Sequence, residues 1–317
     1  MRILLWHVHG TWTTAFVQGG HEYLIPVLPG RPPHGRGRPS RPGTFDWPRS
    51  AAEVTPAEIR DAAGGIDVAI AQRPEELGLI AVWTGRAPGA TLPTVYLEHN
   101  TPPAGIAEPP HPAAKVPGIT VVHVTHFNDL FWDCGKRHTE VIEHGIPDPG
   151  YRYTGQMPAA AAVVNEPVRR GRVTGTDLLR AAREEMPVDL FGMGTSPLGG
   201  ADLPHKELLE QLPRRRVYLH PVRWTSLGLS LIEAMHLGMP VAALATTEIP
   251  AAVPPTAGVT STNFTAVIRA CRELIADPEA ARRAGLAARE HALARYGLGR
   301  FLTDWDRLLA DVAGGWR

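Results

Sequence analysis

The chain has almost no lysine and almost no cysteine. Lys115, Lys136 and Lys206 are its only lysines in 317 residues, so nearly all of its positive charge is arginine. Cys134 and Cys271 are its only thiols and lie far apart, which excludes a disulfide framework and a cysteine-built metal site. Net charge is missing too. The 32 Lys and Arg balance 32 Asp and Glu, so no bulk field draws the protein to nucleic acid or to an anionic membrane. No run of 18 apolar residues occurs, so no membrane-spanning helix is expected. The opening Met1-Arg-Ile-Leu-Leu-Trp-His-Val8 is too short for a signal-peptide core and reads as a buried first strand. A soluble, cytoplasmic protein is the expectation. Abundant Ala, Gly, Pro and Arg fit a GC-rich genome, a statement about codons and not about function.

What is present is a regular alternation of short apolar runs with helical patterns, the signature of parallel α/β units. Strands are expected at Arg2–Val8, Tyr23–Val27, Val68–Ala71, Thr94–Glu98, Thr120–Val124 and Glu140–Ile142. The second half restarts at Ala160–Val164, then Val188–Phe191, Val217–Leu219 and Val241–Leu244. Helices follow at Thr265–Ala276, Pro278–Arg295 and Gly299–Val312. Gly30 to Pro48 and Thr101 to Pro117 are rich in Pro and Gly without periodicity, and Gly30 to Pro48 is expected to be a mobile loop. Pro147–Pro158 breaks any regular element, which places a boundary there. The expectation is two α/β, Rossmann-like domains, 1–150 and 151–300, with parallel sheets facing a central cleft and a last helix, 301–317, packing back on the first domain.

The segment Arg223 to Pro240 is the most informative. It predicts a helix from about Ser226 to Leu237, capped by Ser226 and stopped by Gly238 and Pro240. That helix is apolar on almost every side yet carries Glu233. A buried carboxylate is costly unless donors reach it. Two readings stay open. Either Glu233 is a core group paired with an arginine such as Arg223, or it accepts ribose hydroxyls while the helix start holds a diphosphate.

Several stretches, in order, resemble the GT-B glycosyltransferases, in particular retaining glycosyltransferase family 4. Tyr218-Leu-His-Pro221, Gly228-Leu-Ser-Leu-Ile-Glu233-Ala-Met235 and Gly238-Met-Pro240-Val241 are similar to that family's strongest motif. Val141-Ile-Glu-His144-Gly145-Ile146-Pro-Asp148 is similar to its interdomain segment, and Gly175-Thr-Asp177-Leu-Leu179 to the helix start of its donor domain. Asp277-Pro278 through Ala294-Arg295-Tyr296 resembles its closing helices. The resemblance covers about residues 140–310 well and the earlier part loosely.

It implies transfer of a sugar from a nucleotide-diphosphate sugar to an acceptor hydroxyl, with retention and without metal or other cofactor. The implied donor-binding residues are Gly10, Thr11, Leu203, Thr225, Ser226, Leu227, Gly228 and Glu233, with Asp202 and Leu203 near the base. His99 is implied beside the transferred sugar, and Arg169, Arg170 and Arg172 as the cations for the diphosphate. Two departures stand out: Thr225 replaces the first Glu of the family's pair, and Thr174 replaces its Lys. Arginine can take over a phosphate from lysine. The implied partners are a nucleotide sugar and an unidentified acceptor. Two rival readings are a nucleotide-sugar epimerase of the same fold and a non-catalytic nucleotide-sugar-binding homologue.

Other patterns weigh less. His7-Val-His9 has metal-like spacing but no adjacent carboxylate or third His. His123 and His126 are structural or on the acceptor side. Phe191-Gly192-Met-Gly194 follows a strand but lacks the third Gly and the helix of a dinucleotide fingerprint. Asp304-Trp-Asp306 mimics a metal-binding pair, yet it lies in an amphipathic helix and reads as a solvated face.

Overall fold

The structure is a computed structural model that describes residues 1–103 and 105–315. In chain order the first elements are β1 (Arg2–Leu5), α1 (Gly10–Phe16), β2 (Glu22–Pro26), β3 (Ala51–Val54), α2 (Pro56–Asp61), β4 (Val68–Ala71) and α3 (Pro74–Thr84). Then come β5 (Thr94–Glu98), β6 (Ile119–His123), α4 (His126–Phe131) and β7 (Thr139–Val141). The second half opens with β8 (Met157–Val163), α5 (Pro167–Arg170), α6 (Thr176–Glu185), β9 (Val188–Phe191) and α7 (His205–Gln211). It continues through β10 (Arg215–His220), α8 (Leu229–His236), β11 (Val241–Leu244), α9 (Ile249–Ala252) and β12 (Gly258–Ser261). Three longer helices close the chain: α10 (Phe264–Ala276), α11 (Pro278–Arg295) and α12 (Leu298–Gly314).

Two compact units result. One runs from Met1 to Gly145 and includes the chain from Leu298 onward; the other is Ile146–Gly297. In the first unit the described strands form a parallel sheet in the order β3-β2-β1-β4-β5-β6-β7. In the second they form a parallel sheet in the order β12-β11-β10-β8-β9. The central strands are buried on both faces, as parallel strands covered by helices must be. All residues of β4, β5 and β11 are buried.

Both strand orders reverse direction once. The reversal lies between β1 and β4 in the first unit and between β8 and β10 in the second. Loops that leave such a pair diverge to opposite faces and open a crevice at the carboxyl edge, where ligands of doubly wound sheets bind. The topology alone therefore nominates residues after β1 and β4, and residues after β8 and β10.

Helix α12 completes the core of the first unit. Phe301, Trp305, Leu308 and Leu309 are buried. Trp305 packs edge-on against Trp12 at 5.6 Å and Phe16 at 5.1 Å between ring centroids. The Asp304-Trp-Asp306 triplet is thereby accounted for: Asp304 pairs with Arg300 at 2.8 Å and Asp306 with His21 at 2.9 Å.

The Gly30–Pro48 segment carries only one short 3-10 turn among its residues but makes several side-chain hydrogen bonds. Arg38 donates to the carbonyls of Trp47, Pro48 and Ala51, and its own backbone N–H donates to Glu53. Trp6 Nε1 donates to the carbonyl of His34. Strand β1 ends at Leu5, short of Val8, because Trp6 and His7 turn out of the ladder toward this segment.

Candidate functional site

In the second unit the crevice is formed by the stretch from Val164 to Gly175 and the stretch from Pro221 to Gly228. The first leaves β8 through Glu166, a non-glycine residue with φ 55° that starts α5. Its conformation is locked because the Glu166 N–H donates to the Met193 carbonyl at 2.7 Å and Asn165 Oδ1 accepts from the Met193 N–H at 2.9 Å. The two stretches meet at Gly175, which has φ 74°; a Cβ there would fall 2.1 Å from the Pro221 carbonyl oxygen. No residue with a side chain fits that approach. Arg223 adds a second tie. Its guanidinium donates to both carboxylate oxygens of Asp177 at 2.6 and 2.8 Å, and its backbone N–H donates to the Val173 carbonyl at 2.9 Å.

That tie takes up Arg223, the arginine named above as a core partner for Glu233. Arg223 is engaged with Asp177, and Glu233 instead accepts from His205 Nε2 at 2.8 Å. Glu233 is buried, one turn into α8, and His205 is the first residue of α7. The helix begins later than the sequence predicts, at Leu229, with Gly228 as N-cap and no side chain capping it. Ser226 is buried in the loop before it, and Leu227 packs into the core. The first turn thus presents backbone N–H groups at the carboxyl edge of β10. Tyr218 beneath it pairs its hydroxyl with Ser230 Oγ at 2.9 Å.

The arginines divide clearly. Arg172 reaches Asp177 at 3.2 Å, and Arg169 reaches Glu166 at 3.6 Å. Arg170 has no acidic partner among the described residues, and desolvation and then the neighbouring Arg169 charge hold its pKa below the usual arginine value. Thr174, where the resemblance has lysine, is buried and donates to the Gly171 carbonyl at 3.1 Å. Thr225 is half-buried with no side-chain hydrogen bond among the described residues. Leu203 packs against the core of this unit, next to the exposed Asp202. The Phe191-Gly192-Met-Gly194 turn leads into a single 3-10 turn at Ser196–Leu198, without the helix a dinucleotide fingerprint needs.

In the first unit the crevice holds histidines. His9 N-caps α1, His99 follows β5 and His144 follows β7. The rings of His9 and His99 are 4.0 Å apart, and those of His99 and His144 are 6.2 Å apart. Burial strips their solvation, so His9 drops to about 4 and His144 to about 3, while His99 lies well below the ordinary imidazole value. All three are neutral at pH 7. The tautomer of His99 follows from Gln72. That amide donates Nε2 to the Trp6 carbonyl at 2.8 Å, so its Oε1 accepts from His99 Nε2 at 3.0 Å. His99 therefore carries its proton on Nε2 and keeps Nδ1 as an acceptor. Gly10 starts α1 beneath the Phe45 ring, which lies 2.5 Å from where a Cβ would stand, and Thr11 follows half-buried.

A second group of histidines lies elsewhere in this unit. The Ala113 N–H donates to His111 Nδ1 at 3.1 Å, so His111 Nε2 donates to Glu98 at 3.1 Å. His123 meets both Cys134 Sγ (3.5 Å) and Asp129 (3.8 Å) through the same nitrogen, Nε2, so no relay runs through its ring. His126 is exposed at the start of α4. Among the described residues no three His, Cys, Asp or Glu side chains converge as a metal site.

Cys134 and Cys271 are both buried, and burial pushes each thiol up to about 12. At pH 8 almost no thiolate exists in the folded chain. Ellman's reagent is expected to label neither thiol within minutes in the native protein and both after denaturation. Rapid labelling of the folded chain would contradict this burial.

The comparisons with known proteins fall on this framework. Residues 201–291 match the family model described as Glycosyl transferases group 1. Among solved structures, sucrose-phosphate synthase from Thermosynechococcus elongatus matches with TM-score 0.74 at 14% identity, over 99% of this chain and 100% of that one. Anabaena Alr3699/HepE in complex with UDP matches with TM-score 0.70 at 14% identity, over 98% of this chain and 100% of that one. AviGT4, a glycosyltransferase involved in Avilamycin A biosynthesis, matches with TM-score 0.59 at 14% identity, over 99% and 98%. The fold is that of the GT-B glycosyltransferases. No curated protein matches the chain. The family match spans Leu203, Thr225, Ser226, Leu227, Gly228 and Glu233 and leaves Gly10, Thr11, His99 and the arginines outside it. No helix of the described residues is long and apolar enough to cross a membrane.

Proposed function

We propose that the chain is a retaining glycosyltransferase of family 4. It moves a sugar from a nucleotide-diphosphate sugar to an acceptor hydroxyl in the cytoplasm, with no metal required. One observation carries the reading: a buried carboxylate, Glu233, lies one turn inside a helix whose start no side chain caps, at the β8/β10 crevice. A ribose sharing Glu233 with His205 and a diphosphate at the N–H groups of Ser226 to Gly228 would use both features with one ligand.

The reaction breaks the bond between the anomeric carbon and a phosphate oxygen and forms the new bond to the acceptor oxygen on the same face. The acceptor proton passes to the departing diphosphate. Negative charge grows on that diphosphate, and the α8 start and a cation must stabilise it. Arg170 is assigned this role ahead of Arg169 and Arg172, because those two already face carboxylates. Neutral His99 meets the transferred sugar by hydrogen bonding and supplies no charge. Gly10 and Thr11 border the ligand, Leu203 lies at the base, and Thr225 stands where relatives place a glutamate on the donor sugar.

The test is a thermal-shift panel with UDP, GDP, ADP, dTDP and their sugars, with and without EDTA. UDP comes first, since HepE structures hold UDP and UDP-glucose. At least one nucleotide should raise Tm by several degrees at saturating concentration; no shift from any of them would overturn the reading. With the nucleotide so identified, Arg170→Ala is expected to weaken binding about 10-fold and Arg172→Ala much less. Equal losses would return the cation role to the cluster as a whole. A non-catalytic nucleotide-sugar-binding role is favoured by one observation, the threonines at 174 and 225. Binding without turnover on any acceptor would select it, and a sugar-epimerised donor formed without acceptor would select an epimerase.

A further inference from the structure

Strand β10 ends on His220, two residues after Tyr218, so the two side chains share one face. Their rings stack at 6.1 Å with 22° between planes. Both lie under the start of α8. Tyr218 is satisfied by Ser230. His220 is not: it is 2% exposed, and neither Nδ1 nor Nε2 has a hydrogen-bond partner among the described residues.

His220 differs in this from buried His99, His111 and His236. His99 and His111 each bond through Nε2, and His236 bonds through Nδ1 to the Ile232 carbonyl at 3.0 Å. A buried imidazole with both nitrogens unpaired is costly, and folded proteins keep few such groups without a use. The ring is aimed. A Cβ on Gly228 would lie 2.7 Å from Cε1, 3.4 Å from Nε2 and 3.7 Å from Nδ1, so the edge bearing both nitrogens faces the N-cap of α8. Gly228 is the residue that leaves this edge uncovered by a side chain.

Three independent features thus coincide: the β8/β10 crevice, an eight-residue helix start with no side-chain cap, and an unpaired imidazole turned toward that start. We propose that His220 is a further donor-site residue that gives a ring N–H to a phosphate oxygen of the bound nucleoside diphosphate. This rests on the nucleotide-sugar reading for the identity of the ligand, though not for the phosphate. Burial holds His220 at about 4, so the ring is neutral at pH 7, with one N–H to donate and one lone pair. It acts as a directed dipole beside the helix start, where Arg170 supplies the charge.

The experiment is calorimetric titration of the full chain with UDP, GDP, ADP and dTDP and, separately, with inorganic pyrophosphate. His220→Phe keeps the ring volume and removes both nitrogens. It is expected to weaken the diphosphate and pyrophosphate about 10-fold while leaving the ligand-free Tm equal or higher, since an unpaired polar ring is lost. Unchanged affinity for both ligands would overturn the proposal. If wild type binds pyrophosphate in a His220-dependent way but binds no nucleotide, the nucleotide-sugar reading fails and the His220 site stands. Binding of neither ends both. Should His220→Phe fail to fold, the ring 15N resonances of His220 in wild type decide. A shift of one ring nitrogen on adding pyrophosphate supports the contact, and unmoved resonances at saturation refute it.

Discussion

Replacing Glu233 by alanine is expected to weaken nucleoside-diphosphate binding about 100-fold, measured by calorimetry at pH 7. The size follows from the setting. The carboxylate is buried and fixed by His205 at 2.8 Å, so hydrogen bonds from ribose hydroxyls would form to a charged acceptor in a desolvated place. Such bonds are the strong ones, and removing their acceptor leaves the ligand hydroxyls facing an apolar wall. Glu233→Gln keeps the shape and one acceptor and should lose less. His205→Ala separates the two roles of the pair: it frees the carboxylate from its imidazole without removing it, so nucleotide should still bind. If Glu233→Ala instead lowers Tm while leaving the dissociation constant unchanged, the Glu233–His205 pair is a core contact and no more.

Gly175→Ala is expected to cost about 3 kcal/mol and to lower Tm by roughly 10 °C. Two penalties add. The residue sits at φ 74°, where a Cβ is unfavourable by about 1 kcal/mol or more. The added carbon would also press 2.1 Å from the Pro221 carbonyl oxygen, which is backbone and cannot rotate aside. Gly199 is the control. It has φ 69° with nothing within 4 Å of its Cβ position, so Gly199→Ala carries the first penalty alone. Equal Tm losses in the two variants would disprove the close approach. Because Gly175 and Pro221 flank the crevice, Gly175→Ala should lose nucleotide affinity as well, whereas Gly199→Ala should keep it.

The central elements were legible because physics repeats itself in them. Val68–Ala71, Thr94–Glu98, Val188–Phe191 and Val241–Leu244 are observed as strands with the bounds their apolar runs predict. A strand covered on both faces must be apolar at every position, and the run shows it. Helix Pro278–Arg295 also has its predicted bounds, with Asp277 capping and Pro278 in the first turn. Two strands were invisible. Ala51-Ala-Glu-Val54 and Gly258-Val-Thr-Ser261 lie at sheet edges, where half the surface is open and no apolar run is required. Their pairing is imposed by the neighbouring strand.

At the site, residue type was legible and partnership was not. Glu233 stands out in any reading as a carboxylate inside an apolar helix. Its partner His205 lies 28 residues away, and nothing in the spacing selects it over Arg223, whose true partner Asp177 is 46 residues back. The start of α8 departs from its sequence pattern for a related reason. Ser226 has the chemistry of a cap, but the loop carries it into the interior, and Gly228 takes the position because His220 leaves no room for a side chain. The unpaired state of His220 has no sequence signal at all; it exists only once the strand and helix are packed.

Helix α12 gives the molecule an unusual order of assembly. The unit from Ile146 to Gly297 is continuous in sequence and complete when the chain reaches α12, so it can fold as soon as it leaves the ribosome. The earlier unit cannot. Its sheet is synthesised first, yet Trp12 and Phe16 wait for Trp305, and Gly145 waits for the ring of Phe301. During elongation the first-made half therefore carries an open apolar face across the synthesis of more than 150 further residues, and the later-made half matures before it. Truncation after Gly297 would freeze that intermediate and turn a folding delay into a permanent sticky surface.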